Sequence, residues 1–109
     1  MNNIKVSIII ATYNRGHFIF ETLKSIVNQS FKDFECIIVD DGGTDNTVEV
    51  IKPILDSDNR FSFHKRPDSH KKGLPGTRNY GISIAKGDYI IFFDDDDIIH
   101  PENLQICIN

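Results

Sequence analysis

Apolar residues in this chain gather into short runs separated by amphipathic stretches, and the alternation of the two predicts its elements. Lys5–Ala11 (KVSIIIA) is an Ile/Val run of strand length, the pattern of a strand covered on both faces. Beyond the turn at Asn14–Gly16, Ile19, Leu23, Ile26 and Val27 recur at helical spacing as far as Gln29. Phe34–Val39 (FECIIV) gives a second strand that stops at Asp40-Asp41-Gly42-Gly43. Thr44 is then placed to cap a helix carrying Val48, Ile51 and Leu55 on one stripe. Pro53 falls inside that helix and should kink it, at about 3 kcal/mol in an unadapted helix. Arg60–Lys65 (RFSFHK) alternates polar and aromatic residues, as a partly exposed third strand would. Pro67–Pro75 reads as a polar loop, and Thr77–Lys86 as a short helix closed by Gly87 in a left-handed cap. Tyr89–Phe93 (YIIFF) is a fourth strand, and Pro101 opens a last helix (PENLQICIN).

Strand–helix–strand alternation with buried apolar strands implies an α/β fold, a Rossmann-like, mostly parallel sheet with flanking helices. Ligands of such sheets bind outside the carboxyl ends of the strands. There the first strand ends in Thr12-Tyr13-Asn14, the second in Asp40-Asp41 and the fourth in Asp94–Asp97, so six carboxylates face one rim. Like charges a few ångströms apart repel by several kcal/mol at an effective dielectric near 20, roughly. Such a cluster persists by raising a pKa, by facing water or by holding a cation. In extended backbone Asp94 and Asp96 would share one side of the chain, Asp95 and Asp97 the other. An acidic run is more often a solvated turn, and Asp-Gly is ordinary turn chemistry. This run abuts an apolar strand, however, which sets it on the rim of the core beside a second pair of carboxylates. Mg²⁺ or Mn²⁺ takes one or two carboxylates together with phosphate oxygens. Lys65, Arg66, Lys71 and Lys72 form a basic group that suits a solvated loop as well as it suits phosphate. Arg78, at the start of a helix beside that loop, is better placed to meet a phosphate.

Composition narrows the function classes. The 109 residues make one domain or part of one, and 12 basic against 16 acidic residues give a net charge of −4. That balance excludes a general nucleic-acid binder, which neutralises phosphates over a wide face. Cys36 and Cys107 lie far apart inside apolar runs, which is neither a disulfide framework nor a metal spacing and suits a reducing compartment. The first apolar run is too short for a signal peptide or a membrane span. The cytoplasm is therefore the expected location, peripheral membrane attachment through a part outside these residues being left open. Neither GxxxxGK[ST] nor GxGxxG occurs, so P-loop phosphate transfer and a dinucleotide fingerprint gain no support. His17, His64, His70 and His100 are scattered, each most simply a surface residue.

Taken in order, VSIIIATYNR, QSFKDFECIIVDDGGTDNT, GLPGTRNYGISIAKGDYIIFFDDDD and IIHPENL resemble the N-terminal half of a GT-A-fold, family 2 inverting glycosyltransferase. The resemblance covers essentially the whole chain and implies a nucleotide-diphospho-sugar transferase fold, truncated here. It implies that Thr12 and Tyr13 pack the nucleotide base, that Asp41 accepts a hydrogen bond from the base with Asp40 beside it, and that Arg78 lies near the diphosphate. Asp94-Asp95-Asp96 matches a DxD-type motif, with Asp96 the direct ligand of Mg²⁺ or Mn²⁺ and Asp95 or Asp94 holding the ribose or a metal-bound water. Asp97 is the following acidic residue. Three positions depart from the family pattern: Gly43 stands in place of Ser, Lys71 in place of Asn, and Pro75-Gly76 in place of small helix formers.

The family's catalytic base is expected beyond Asn109, so no catalytic residue is assigned within the chain. The implied donor is a nucleotide-sugar, UDP being the commonest nucleotide across the resemblance, and the implied acceptor a sugar or a lipid-linked sugar. A sheet cut short would leave an open edge that invites self-association. The rival reading is a non-catalytic nucleotide- or metal-binding domain. A nucleotidyltransferase ranks last, because TYNRGHF stands where its Gly- and Lys-rich loop would be.

Overall fold

A computed structural model describes residues 4–108 and, within them, every side chain but those of His17, Cys107 and Ile108. Those two expectations, a surface His17 and a Cys107 inside an apolar run, fall outside the described side chains. Four strands, β1 (Val6–Thr12), β2 (Phe34–Asp40), β3 (Phe61–Lys65) and β4 (Tyr89–Phe92), alternate with α1 (Gly16–Val27), α2 (Thr47–Ser57), α3 (Leu74–Ile84) and α4 (Asn103–Ile108). The sheet is wholly parallel, in the order β3-β2-β1-β4, which matches the expected Rossmann-like arrangement.

The central pair explains the core. Val6, Ile8 and Ile10 of β1 and Cys36 and Ile38 of β2 turn to one face, where Ile19, Leu23 and Ile26 of α1 and Ile51 and Ile54 of α2 cover them. The next residue along β1, Ile9, faces the other way and touches α3 where Gly81 brings the helix close. Both faces of β1 are therefore buried, as its unbroken Ile run requires. Cys36 is a free thiol inside this core, and burial raises its pKa, so it serves as packing.

Several local expectations are corrected. Asp45, not Thr44, holds the start of α2: its carboxylate accepts the Thr47 backbone N–H at 3.2 Å, and also the Thr47 hydroxyl. The same carboxylate accepts the N–H of Gly16 at 3.0 Å, so one side chain serves the first turns of two helices. Val48 is exposed, and the buried stripe of α2 runs through Ile51 and Ile54 instead. Pro53 does lie inside α2, as expected, and the helix runs on to Ser57. Gly87 is not a left-handed cap: α3 ends at Ile84, Ala85 turns extended, and Gly87 lacks positive φ. Its missing Cβ serves close approach, since one would lie 2.6 Å from the Ser7 nitrogen. Pro101 sits in the turn before α4 rather than in its first helical turn. Finally, among the described residues β4 is an edge strand rather than a buried one, because there it pairs only with β1 and over only four residues, leaving Tyr89, Ile90 and Phe92 exposed.

His64 also departs from the surface reading. It is partly buried at the end of β3, its Nε2 lies 2.9 Å from Ser62 Oγ, and its ring meets Tyr80 edge-on at 6.4 Å. Burial lowers its pKa. No helix among the described residues is long and apolar enough to cross a membrane.

Candidate functional site

At the carboxyl ends of β1 and β2 the chain opens a cleft of about 290 Å³, lined by Ala11, Thr12, Tyr13, Arg15, Asp41, Leu74, Thr77 and Asp95. Four of the residues singled out by sequence, Thr12, Tyr13, Asp41 and Asp95, meet there. Tyr13 presents an exposed ring at its mouth, with the Lys72 ammonium 5.9 Å from the ring centre. Asp40 does not line the cleft. Its buried carboxylate instead accepts the Gly43 N–H at 3.0 Å and shapes the turn that follows β2.

Asp41 is fixed on two sides. Arg66 Nε donates to its Oδ1 at 2.5 Å, and the Gly73 N–H donates to its Oδ2 at 3.0 Å. Burial opposes ionisation here, but the Arg66, Thr77 and Gly73 hydrogen bonds outweigh it, so the Asp41 pKa lies below the ordinary carboxylate value and the group is charged at neutral pH. Sequence sets Arg66 in a basic group with Lys65, Lys71 and Lys72 that suits a solvated loop as well as phosphate. The register β2–β3 explains its different fate, since Asp40 pairs with Lys65 and the next step along each strand puts Asp41 beside Arg66. Arg66 Nη1 also donates to the His70 carbonyl at 2.7 Å, which ties the 67–73 loop to Asp41. Gly73 itself has φ +109°, a left-handed conformation that favours glycine, and it aims its N–H at the carboxylate.

The acidic run is a turn, not extended backbone, with the Asp97 N–H reaching back to the Asp94 carbonyl at 3.3 Å. The expected two-and-two alternation is therefore wrong. Asp95 alone points inward, where Thr12 Oγ1 donates to its Oδ2 at 3.0 Å, and burial raises its pKa. Asp94, Asp96 and Asp97 converge in solvent, with one carboxylate oxygen from each lying within 4.8 Å of the others. These are hard oxygen donors, and the three together fit Mg²⁺ or Mn²⁺. Two arginines moderate their repulsion: Arg15 Nη2 lies 2.8 Å from Asp96 and Arg78 Nη2 lies 3.5 Å from Asp94. The Arg78 guanidinium also stacks over Phe92 at 5.0 Å.

What places this turn is a polar stripe on α1 that the apolar pattern concealed. Thr22 Oγ1 donates to the Asp95 carbonyl at 3.1 Å, and Ser25 Oγ accepts the Ile99 N–H at 2.9 Å. Gln29 is fully buried, with its amide donating to the His100 carbonyl at 2.7 Å and accepting from the Leu104 N–H at 3.1 Å. Thr22 and Ser25 lie one turn apart on α1 and Gln29 follows just past its end, and that polar recurrence along an amphipathic stretch is the available signal. A larger cleft, about 640 Å³, lies along Glu35, Ile37, Ser62, His64, Tyr80 and Ile84, but it contains none of the carboxyl-end residues.

The model of the family described as Glycosyl transferase family 2 matches residues 7–109. An uncharacterized glycosyltransferase of Haemophilus influenzae is 38% identical over all 109 residues, which cover 43% of its own length. The Escherichia coli UDP-Glc:alpha-D-GlcNAc-diphosphoundecaprenol beta-1,3-glucosyltransferase WfaP is 46% identical over 92 residues, 84% of this chain and 35% of that one. The crystal structure of Staphylococcus aureus TarS 1-349 in complex with UDP-GlcNAc superposes with a TM-score of 0.83 at 30% identity, over 95% of this chain and 30% of the 1-349 chain. The chain thus spans less than half the length of these relatives.

Proposed function

Because the chain belongs to glycosyl transferase family 2, we propose that it recognises the donor for an inverting, metal-dependent transfer of a sugar from a nucleotide-diphospho-sugar to a sugar or lipid-linked acceptor. The observation that carries this reading is the meeting of two separate acidic groups at one cleft. Asp41 waits at one end as a held, ionised acceptor, and the Asp94–Asp97 turn lies at the other. A nucleoside diphosphate suits both, offering base N–H donors to one and, through a cation, its anionic diphosphate to the other. We assign Asp41, Thr12 and Tyr13 to the base, Arg78 to the diphosphate, Asp95 or Asp94 to the ribose side, and Asp96 to the metal, with Asp40 supporting the turn from beneath. A divalent cation held there would neutralise charge on the departing diphosphate. TarS, crystallised with UDP-GlcNAc, and WfaP, named for UDP-Glc, support UDP as the nucleotide. We place the base that activates the acceptor hydroxyl outside residues 1–109, in the length that the relatives have beyond the match. The exposed β4 edge supports self-association of the chain on its own.

Asp41→Asn is the direct test. The amide keeps the shape but loses the charge that Arg66 and the base share. Losing a hydrogen bond to a charged group costs about 1.5–3 kcal/mol, so UDP affinity should fall roughly ten- to a hundredfold. Metal dependence should stay unchanged. Calorimetric titration of UDP, GDP and dTDP with Mn²⁺ present reads both the loss and the preference among bases. Equal affinity for parent and variant would return Asp41 to the role of a turn residue.

A further inference from the structure

The acidic turn already holds a cation of its own. Arg15 Nη2 sits 2.8 Å from Asp96 Oδ2 and 4.0 Å from Asp95 Oδ1, and the guanidinium carbon lies 4.8 Å from the centre of the Phe18 ring. The contact to Asp96 engages the carboxylate assigned above to the divalent ion, so the two cations cannot share that oxygen at full strength. A second, independent feature concerns the rest of the guanidinium. Arg15 Nε is shut off from solvent and has no hydrogen-bond acceptor, although the residue lines the cleft. A buried donor without a partner costs free energy, roughly 1–3 kcal/mol. A ligand oxygen entering the cleft would relieve it.

On the reading of the site given above, we propose that Arg15 is the resident counter-cation of the acidic turn and the charge that moves to the donor: it gives up Asp96 to the divalent cation and turns its donors to the diphosphate. Before the ligands arrive, Arg15 holds Asp96 in place and limits its repulsion with Asp94 and Asp97. Afterwards its planar guanidinium suits phosphate oxygens in the way an ammonium does not. Metal and nucleotide then help one another, because the first frees the residue that the second uses.

A structural role alone would not give the pattern this predicts, which is a reversal of sign between two binding measurements. Arg15→Gln removes the competing charge. An exposed ion pair contributes up to about 1 kcal/mol, so Mn²⁺ binding without nucleotide, followed by electron paramagnetic resonance of the free ion, should tighten roughly two- to fivefold. UDP binding at saturating Mn²⁺ should weaken roughly tenfold or more, since a charge-assisted contact is lost. Arg15→Lys restores the charge without the fork, so its Mn²⁺ affinity should return toward the parent while UDP stays weak. Circular dichroism checks that both variants fold. A Gln variant whose Mn²⁺ affinity is unchanged or lower, or whose UDP affinity is unchanged, overturns the proposal while leaving the metal site standing. A parent chain that takes up no Mn²⁺ overturns the metal site and this proposal together.

Discussion

Asp96→Ala should abolish Mn²⁺-dependent binding of UDP and leave the fold as it was. The carboxylate is exposed, and the partner it would leave behind is Arg15, itself at the surface. Exposed pairs of this kind contribute about 0–1 kcal/mol, and removing one of three converging acids also relieves repulsion. The melting temperature should therefore change by a few degrees at most, in either direction. The effect on the ligand is of another order. On the proposed reading, a divalent cation at the exposed turn would depend on the few carboxylates that reach it, and the diphosphate on the cation. Loss of one direct ligand should cost more than a hundredfold in UDP affinity with Mn²⁺ present, about 3 kcal/mol. Titration calorimetry with and without Mn²⁺, beside a thermal melt of the same sample, separates the two effects. A variant that binds UDP with Mn²⁺ as the parent does would remove Asp96 from the metal. Loss of both binding and fold would show that the turn is structural.

The sequence made the parallel sheet legible because the Ile/Val runs of β1 and β2 have only one stable environment, a strand covered on two faces. The same logic failed for β4. Its YIIFF run looks as buried as IIIA, yet position in the sheet decides exposure, and strand order is a non-local property. The Asp94–Asp97 cluster was visible from composition alone, but its geometry was not. Extended-strand alternation paired Asp94 with Asp96, whereas a single turn turned Asp95 inward and gathered the other three. Arg66 and Gln29 show the remaining limit. Each looked ordinary in its own segment, and each acquires a role from a partner far along the chain: Arg66 from Asp41, Gln29 from the 99–104 segment. Asp45 was hidden for a different reason: it sits one residue before the Asn46 N-cap and acts through the Thr47 and Gly16 N–H groups, the second of them far along the chain.

Gly76→Ala should unsettle the base end of the site more than its size suggests. Helix propensity alone favours the change, since Ala exceeds Gly by about 1 kcal/mol in a helix interior. Space opposes it: a Cβ on Gly76 would lie 1.7 Å from the Lys71 carbonyl oxygen and 2.6 Å from the carbonyl carbon. Those are backbone atoms, with no flexible side chain to swing aside, so either the first turn of α3 or the 71–73 loop must move. Overpacking of this kind typically costs about 1–3 kcal/mol. The first turn is held by the Thr77 N–H and hydroxyl, both bonded to the Gly73 carbonyl at 3.0 and 2.7 Å. Shifting the loop instead pulls on Gly73, whose N–H holds Asp41. Both routes therefore pass through the same residue. The clash exceeds the propensity gain, and we expect the melting temperature to fall by roughly 4–8 °C per kcal/mol of net loss in a domain of this size. UDP affinity, measured well below that melting point, should fall about tenfold, because Asp41 loses its Gly73 anchor. A Gly76→Ala chain that melts higher than the parent and binds UDP as well would mean that the loop yields freely. In that event Arg66 would be the anchor that matters most to Asp41, and Arg66→Gln should then produce the loss that Gly76→Ala did not.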